Sequence, residues 1–185
     1  MSDNQHDDYP PVMHGHGQAR FCLNCGYELQ PREIDGASRP ACASCGYVHY
    51  QDPKVAVGVL IGDANGRVLL MQRAHHPRKG LWSYPAGFVD AGERVEDAAI
   101  RETQEEIGVT VELDGLLGLH SETGNRVILA VYRGHIVEGT PSPGEESLAV
   151  AYFPPDSLPD LAFDRDAGII RDWQERFVAD GVHSA

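Results

Sequence analysis

The feature that most constrains this chain is a set of glycine, glutamate and arginine residues at fixed spacing in its middle. The positions are Gly87, Glu93, Arg101, Glu102, Glu105, Glu106 and Gly108. Residues 95–107 contain neither proline nor glycine, and Val95, Ala99, Thr103 and Ile107 recur within them at helical spacing. This pattern predicts a short amphipathic helix over 95–107, which Gly108 ends.

Three glutamates share one edge of the predicted helix. Glu102 precedes Glu105 by three residues and Glu106 by four, so all three carboxylates reach toward one point. Like charges at this spacing destabilise a helix by a few tenths of a kcal/mol per pair, and a divalent cation would neutralise them. Oxygen ligands favour Mg²⁺ or Mn²⁺ over zinc. The alternative is an ordinary solvated face, which is the usual role of glutamates on a helix; the complete spacing favours the metal site.

The residues before the helix complete this predicted site. Residues 86–92 include Gly87 and Gly92, which predict a loop whose backbone approaches a ligand closely and offers a carbonyl to a metal. Glu93 and Arg101 lie eight residues apart, about two helical turns, and are expected to pair. Their role would be structural, because the pair would tie the loop to the helix.

Residues 87–109 resemble the Nudix box, the signature of hydrolases that act on nucleoside diphosphates linked to another moiety. Residues 55–61, 67–73 and 80–87 are similar to the strands that lead into that box. The resemblance implies an α/β fold, the Nudix α/β/α sandwich with a mixed sheet. Thr103 departs from the aliphatic residue usual in the family, although threonine still packs.

The resemblance also implies the roles of the site residues. Glu102, Glu105 and Glu106 would bind Mg²⁺ or Mn²⁺ together with the Gly87 carbonyl, and water would attack phosphorus. A loop is predicted over 138–146, and the glutamates at its end are either a solvated tip or part of the site. By resemblance Glu146 completes the metal shell or acts as the base. Ala149 occupies another position where relatives often carry an acid.

The four cysteines form two pairs with a two-residue spacing inside each pair. The pairs Cys22/Cys25 and Cys42/Cys45 are separated by sixteen residues, and each is followed by glycine. This spacing predicts a zinc ribbon, in which the metal supplies folding energy that so short a segment cannot obtain from an apolar core. The alternative is two disulfides. The acidic N-terminal start and the lack of an apolar signal segment argue against it. A filled four-cysteine site is structural because it has no open position for catalysis.

The chain of 185 residues accommodates one ordinary core and this ribbon. We expect a disordered tail over 1–19, the ribbon over 20–50 and the Nudix domain over 51–185, with the X-Pro step at Pro53 marking the joint. Further strands are predicted over 116–120, 127–133 and 149–153, and a closing helix over 167–179. The net charge of -13 argues against general nucleic-acid binding. The longest apolar run, residues 55–61, is too short to span a bilayer. We expect a cytoplasmic protein.

A ribbon followed by a Nudix domain resembles two groups of enzymes. NADH pyrophosphatases carry a Ser-Gln-Pro-Trp array after the box, and this array is absent from residues 120–126. Residues 50–55 and 143–148 are similar to plant-type FAD and ADP-ribose pyrophosphatases and their bacterial relatives. That similarity implies hydrolysis of FAD to FMN and AMP, or of ADP-ribose to AMP and ribose 5-phosphate, by a homodimer.

Two alternatives stay open at this point. The first is an NADH or NAD-capped RNA pyrophosphatase, and the second, from another class, is a nucleic-acid-binding or protein-binding module built on the ribbon. Candidate substrate contacts are Tyr50, Arg73 and Trp82, although aromatic residues near strands belong to a core more often than to a ligand site.

Overall fold

The computed structural model describes residues 19–179 and divides the chain into two compact units, Met1–Asp52 and Pro53–Ala185. The predicted tail over 1–19 lies outside the described residues except for Ala19. The first unit contains the strands β1 (Leu29–Ile34) and β2 (Ala37–Cys42). The second unit contains β3 (Lys54–Ile61), β4 (Val68–Arg73), β5 (Trp82–Ser83), β6 (Ala86–Phe88), α1 (Val95–Ile107), β7 (Thr110–His120), β8 (Val127–Glu138), β9 (Ser147–Phe153) and α2 (Asp166–Ala179).

The first unit is an antiparallel hairpin of β1 and β2 flanked by two cysteine turns. Asp35 and Gly36 connect the strands with φ angles of 52° and 76°, as a tight two-residue hairpin turn requires. Among the described residues its buried cluster consists of Cys22, Leu29 and Cys42. So small a core cannot stabilise the unit by apolar burial alone, and a metal is the usual supplement.

The second unit places its sheets between two helices. Strand β3 pairs with β8 in parallel and with β6 antiparallel, while β7 pairs with β8 antiparallel, so this four-stranded sheet is mixed. Strands β5, β4 and β9 form a second, antiparallel sheet. The arrangement is the mixed α/β fold that the sequence predicted.

Alternate residues of the central strands explain this layering. In β3, Val57 and Val59 pack into the cluster that contains Ala99 of α1, whereas Leu60 packs into the cluster that contains Ile170 of α2. Because side chains alternate along a strand, a continuous apolar run covers both faces of the sheet. The run 55–61 is therefore an internal strand with a helix on each side. Among the described residues, no helix combines the length and the apolar character needed to cross a membrane.

Helix α1 spans the predicted residues, and Gly108 ends it with a φ of 71°. Two other predictions need correction. The loop predicted over 86–92 begins as strand β6, because Ala86, Gly87 and Phe88 pair with β3. Strand β7 begins at Thr110, earlier than the predicted residue 116, and irregular pairing with β8 near Gly115 disguises its period-two pattern.

Candidate active site

Helix α1 presents its three predicted glutamates with graded exposure. Glu106 is 3 % exposed as a residue, whereas the side chains of Glu102 and Glu105 are 14 % and 57 % exposed. The acidic edge therefore runs from the sheet outward to solvent. Packing therefore fixes the carboxylate of Glu106, whereas the carboxylate of Glu105 is open to solvent.

Glu106 is the buried end of the acidic edge. Its Oε2 accepts a hydrogen bond from the Ala86 amide at 2.7 Å. The pKa of Glu106 is raised to about 8, mainly by burial and also by the negative charges of Glu102 and Glu146. The hydrogen bond from Ala86 opposes this rise. A buried carboxyl group among others of its own charge is one that a divalent cation would stabilise in the ionised form.

Glu102 packs directly against the backbone of Gly87. A β-carbon at position 87 would overlap the carboxylate carbon and both oxygens of Glu102. Gly87 itself is held in β6 opposite Val57 of β3. Because Gly87 has no side chain, the Glu102 carboxylate can lie against its backbone, and we call this space the Gly87 cradle. The set of carboxylate and carbonyl oxygens here fits Mg²⁺ or Mn²⁺.

Arg101 ties the acidic edge to the segment before the helix. Its guanidinium donates to both oxygens of Glu93, at 2.8 and 2.9 Å, and to the Phe88 carbonyl at 3.1 Å. It also donates to Glu102 at 2.8 Å and to Glu105 at 3.1 Å. The predicted pair of Glu93 and Arg101 is present, and the Arg101 hydrogen bonds are the main cause that lowers the pKa of Glu93 to about 2.

The segment after β8 docks on the C-terminal turn of α1. The Ser142 amide donates to the Ile107 carbonyl, and the Gly144 amide to the Glu106 carbonyl, each at 3.0 Å. The Ser147 hydroxyl donates to the same Glu106 carbonyl at 2.8 Å. These bonds satisfy carbonyls that a helix end leaves without intrahelical partners, and they fix the segment beside the acidic edge.

This docking places Glu146 near the helical glutamates. Burial is the main cause of the raised pKa of Glu102 and Glu106, and the charge of Glu146 adds to it in both. The Glu146 carbonyl accepts a hydrogen bond from the Ala74 amide at 2.9 Å, which anchors this residue to the end of β4. The negative charge of Glu146 therefore acts on both Glu102 and Glu106.

Arg73, at the end of β4, borders the acidic edge. Its positive charge opposes the rise that burial causes in the pKa of Glu106. Its guanidinium also lies over the Phe163 ring, 5.7 Å from the centroid. Arg73 is therefore a positive group whose charge acts on the acidic edge.

Trp82 and Tyr50, the two aromatic residues predicted to contact a substrate, lie in different units of the chain. Trp82 is partly buried and packs edge to face against Phe153, with ring centroids 4.8 Å apart. Tyr50 belongs to the first unit, where it is 49 % exposed and has the Arg39 guanidinium 4.7 Å from its ring centroid.

Two polar contacts near the site escaped sequence reasoning. One is the contact of Ser147 with the helix end. The other is the hydrogen bond from the Tyr84 hydroxyl to Asp166 Oδ1 at 3.2 Å, between residues that are 2 % and 1 % exposed. The residues of each contact are far apart in sequence, and no local motif marks them.

The cysteines converge in the first unit. The Sγ atoms of Cys22, Cys25, Cys42 and Cys45 all lie within 4.8 Å of one another, and all four are free thiols rather than disulfides. The Cys22–Cys45 and Cys25–Cys42 sulfur distances are 3.6 and 3.5 Å. A tetrahedral zinc with bonds of about 2.3 Å would space its sulfurs by about 3.8 Å, so the thiols fit that ion.

The profile of the NUDIX domain matches residues 52–173, and the profile of the Nudix N-terminal zinc ribbon matches residues 20–51. The chain belongs to the Nudix hydrolase family. Members of this family use divalent metals, in agreement with the oxygen-rich edge of α1.

Relatives and solved structures agree with this assignment. The chain is 35 % identical over 131 residues to an ADP-ribose pyrophosphatase of Methanocaldococcus jannaschii, covering 69 % of this chain and 76 % of that protein. It is 31 % identical over 147 residues to the NAD-capped RNA hydrolase NudC of Pseudomonas aeruginosa, covering 79 % of this chain but 51 % of that enzyme. The chain thus spans about half the length of this second relative. A crystal structure of a Nudix hydrolase from Nitrosomonas europaea superposes with a TM-score of 0.79 at 33 % identity, covering 87 % of this chain and 93 % of that one.

Proposed function

We propose that this Nudix hydrolase cleaves the diphosphate bond of a dinucleotide or nucleotide sugar, with ADP-ribose as the first candidate and AMP as a product. The observation that carries the proposal is the buried Glu106, which lies beside the Glu102 carboxylate at the Gly87 cradle and within electrostatic range of Glu146. The mutual repulsion of these carboxylates at one edge of α1 destabilises the fold unless bound cations neutralise it.

Mg²⁺ or Mn²⁺, held by Glu102, Glu105, Glu106 and the Gly87 carbonyl, would polarise the phosphoryl group and stabilise the charge that develops on it. The protein residues supply the other parts. Arg101 orients Glu102 and Glu105 through its hydrogen bonds, because a guanidinium fork fixes carboxylate direction. The fixed carboxylates leave little reorganisation for the reaction itself.

Glu146 is proposed as the general base. Its side chain is exposed to solvent, and its backbone is anchored to the end of β4. A carboxylate in this position can accept a proton from a water molecule that attacks phosphorus. Arg73 is proposed to hold a phosphate next to the acidic edge.

ADP-ribose is placed before FAD because the Methanocaldococcus jannaschii relative is named an ADP-ribose pyrophosphatase. The second candidate is NADH or NAD-capped RNA, which the similarity to NudC favours. We propose that the ribbon binds one zinc ion and has a structural role.

A substrate panel tests these proposals. Purified protein with Mg²⁺ or Mn²⁺ is given ADP-ribose, FAD, NADH, NAD-capped RNA and a nucleoside triphosphate, and the products are separated by chromatography. We expect AMP and ribose 5-phosphate from ADP-ribose, and loss of this activity in Glu105→Gln. Glu112→Gln, an exposed glutamate on β7, is the matched control and should keep it. Equal activity of the wild type and Glu105→Gln would refute the assignment of the site. Tight binding of uncapped RNA in a gel-shift assay at physiological salt, without hydrolysis of any substrate, would favour the binding-module alternative.

We also propose a homodimer, as the resemblance implied. Strand β7 is at the edge of its sheet and exposes Leu116 and Leu119, at 50 % and 67 %. An exposed apolar edge strand offers a surface on which another chain can pair. Sedimentation equilibrium should give twice the mass of the chain, and a monomer would exclude this proposal.

A further inference from the structure

Tyr84 is a buried tyrosine that the proposed reaction does not use. It is 2 % exposed and belongs to the apolar cluster that contains Leu60 and Trp173. A β-carbon at position 58 would collide with its ring, so Gly58 leaves the space that the ring fills. The ring of a phenylalanine would fill this space equally well. The hydroxyl group therefore has a separate role, because a buried hydroxyl destabilises a fold unless it is hydrogen-bonded.

The first residue of α2 fixes this hydroxyl group. The Tyr84 hydroxyl donates to Asp166 Oδ1 at 3.2 Å, and Asp166 is 1 % exposed. The other carboxylate oxygen, Oδ2, is buried without a hydrogen-bond partner among the described residues. A buried polar pair adds less stability than well-packed apolar side chains, but its directional hydrogen bond fixes one arrangement of the two elements that it joins.

The chain before Tyr84 is tied to the segment that precedes α2. The Trp82 amide donates to the Asp160 carbonyl at 2.9 Å, and the Ala162 amide donates to the Trp82 carbonyl at 2.7 Å. The hydrogen bond from Tyr84 to Asp166 continues this series of contacts into the helix itself. The α2 side of the unit therefore holds both the backbone and the side chains of residues 82–84.

The chain after Tyr84 leads directly to the acidic edge. The amide of Ala86 donates to Glu106 Oε2 at 2.7 Å. The next residue is Gly87, whose backbone lies against the Glu102 carboxylate. Two residues of extended chain span at most about 7 Å, so a shift of Tyr84 is passed on to the Ala86 amide with little loss.

We propose that Tyr84, held by Asp166, is a positioning residue for the metal site of the acidic edge. Its hydrogen bond fixes the short segment that presents the Ala86 amide to Glu106. The proposal rests on the proposed metal-dependent hydrolysis, but it does not depend on which diphosphate is cleaved. It connects α2, which carries none of the predicted site residues, with the glutamates of α1.

Mn²⁺ affinity tests this role without any substrate. Mn²⁺ is titrated into the full zinc-loaded chain, and the free ion is measured by electron paramagnetic resonance. Tyr84→Phe keeps the ring and removes the hydroxyl group. We expect it to weaken Mn²⁺ binding between about threefold and tenfold, the range that one hydrogen bond contributes. Glu106→Gln should weaken binding at least about tenfold, which assigns the measured ion to the acidic edge.

Tyr132→Phe is the matched control. Tyr132 is also buried in the second unit, and its hydroxyl contacts Glu96 at 3.5 Å, in the first turn of α1. This variant loses a hydroxyl contact of the same kind away from the acidic edge, so its Mn²⁺ affinity should equal that of the wild type.

Two substitutions of Asp166 separate the hydrogen bond from general packing. Asp166→Asn keeps an oxygen that accepts from Tyr84, so it should keep the wild-type Mn²⁺ affinity. Asp166→Ala removes the acceptor and should weaken Mn²⁺ binding as much as Tyr84→Phe does. The double variant of Tyr84→Phe and Asp166→Ala should bind Mn²⁺ no more weakly than either single variant, because the same contact is lost in all three.

Turnover of ADP-ribose at increasing Mn²⁺ concentration gives the second readout. In Tyr84→Phe the half-activating Mn²⁺ concentration should rise by the same factor as the dissociation constant, while kcat at saturating Mn²⁺ stays within about twofold, because excess metal refills the site. Equal Mn²⁺ affinity of Tyr84→Phe and the wild type, or an equal loss in Tyr132→Phe, would overturn the positioning role and leave the proposed hydrolysis untouched. If the wild type binds Mn²⁺ through Glu106 and Tyr84 but cleaves no diphosphate, the proposed function fails and the positioning role stands.

Discussion

The carboxylate of Glu102 occupies the space that a side chain at position 87 would fill, because the Gly87 Cα faces that carboxylate directly. We predict that Gly87→Ala will lower kcat/KM at least about 100-fold, since a misplacement of about 1 Å at a reacting centre has an effect of this size. The atoms displaced are the end of the Glu102 side chain, which can turn aside, so the free energy of unfolding should fall by only about 0.5 to 1.5 kcal/mol. Steady-state kinetics and urea unfolding measure the two effects.

Gly168→Ala is the matched control for this substitution. A β-carbon at position 168 meets no atom within 4 Å, and the residue lies in α2. This variant should keep full activity and gain about 0.5 to 1 kcal/mol of stability, because alanine is the better helix former. Unchanged activity in Gly87→Ala would show that Glu102 does not need its observed position.

Glu145 and Glu146 are neighbours with different expected effects. Of the two, Glu146 is the residue whose negative charge is among the causes that raise the pKa of both Glu102 and Glu106. We predict that Glu146→Gln lowers kcat at least about 100-fold, the usual contribution of a general base. Glu145→Gln should stay within about twofold, as exposed substitutions do. Equal kcat values in the two variants would assign the base to another residue.

The thiols of the first unit predict one zinc ion per chain. Cys42→Ser removes a buried ligand and should weaken zinc binding at least about 100-fold in competition with a chromophoric chelator, because four-thiolate sites owe their affinity to the complete set. Residues 20–50 should then become sensitive to limited proteolysis. Ser44→Ala changes an exposed residue of the same turn and should keep one zinc. Full zinc occupancy in Cys42→Ser would contradict a four-cysteine site.

The helix, its acidic edge and the cysteine turns could be predicted because each depends on spacing within a few residues. Glu102, Glu105 and Glu106 face one way on any helix. The start of β7 could not be predicted, because its pairing with β8 is irregular on both sides of Gly115. A bulged strand loses the alternation on which sequence reasoning depends.

The polar contacts that position the site depend on the tertiary fold. The Ser147 hydroxyl reaches the Glu106 carbonyl across 41 residues, and Tyr84 reaches Asp166 across 82. Neither contact has a periodic pattern or a motif, so both become visible only when the sheets are assembled. The prediction for Glu146 depends on the family resemblance, since no local pattern in the sequence marks that residue.

The buried Asp166 predicts a pH-dependent stability. Burial raises its pKa from 3.8 to about 6, against the Tyr84 hydrogen bond and the positive charges of Arg165 and Arg73. A folded-state pKa above the unfolded value means that the folded chain binds the proton more tightly. This contribution to stability is therefore present at low pH, falls as the pH rises from about 4 to about 6, and stays lost above that range.

Asp166→Asn removes this titration while its carboxamide oxygen can still accept from Tyr84. Relative to the wild type, the variant should gain on the order of 2 kcal/mol of unfolding free energy between pH 4 and pH 7, because one pKa unit corresponds to about 1.4 kcal/mol. Urea unfolding at matched pH values measures this difference and cancels the titrations that both chains share, including loss of zinc in acid.

Asp172→Asn, an exposed position of α2, should stay within about 0.5 kcal/mol of the wild type throughout. A constant difference between Asp166→Asn and the wild type across this range would show that the pKa of Asp166 is the same in the folded and unfolded chains, and that Tyr84 and the neighbouring arginines fully offset its burial.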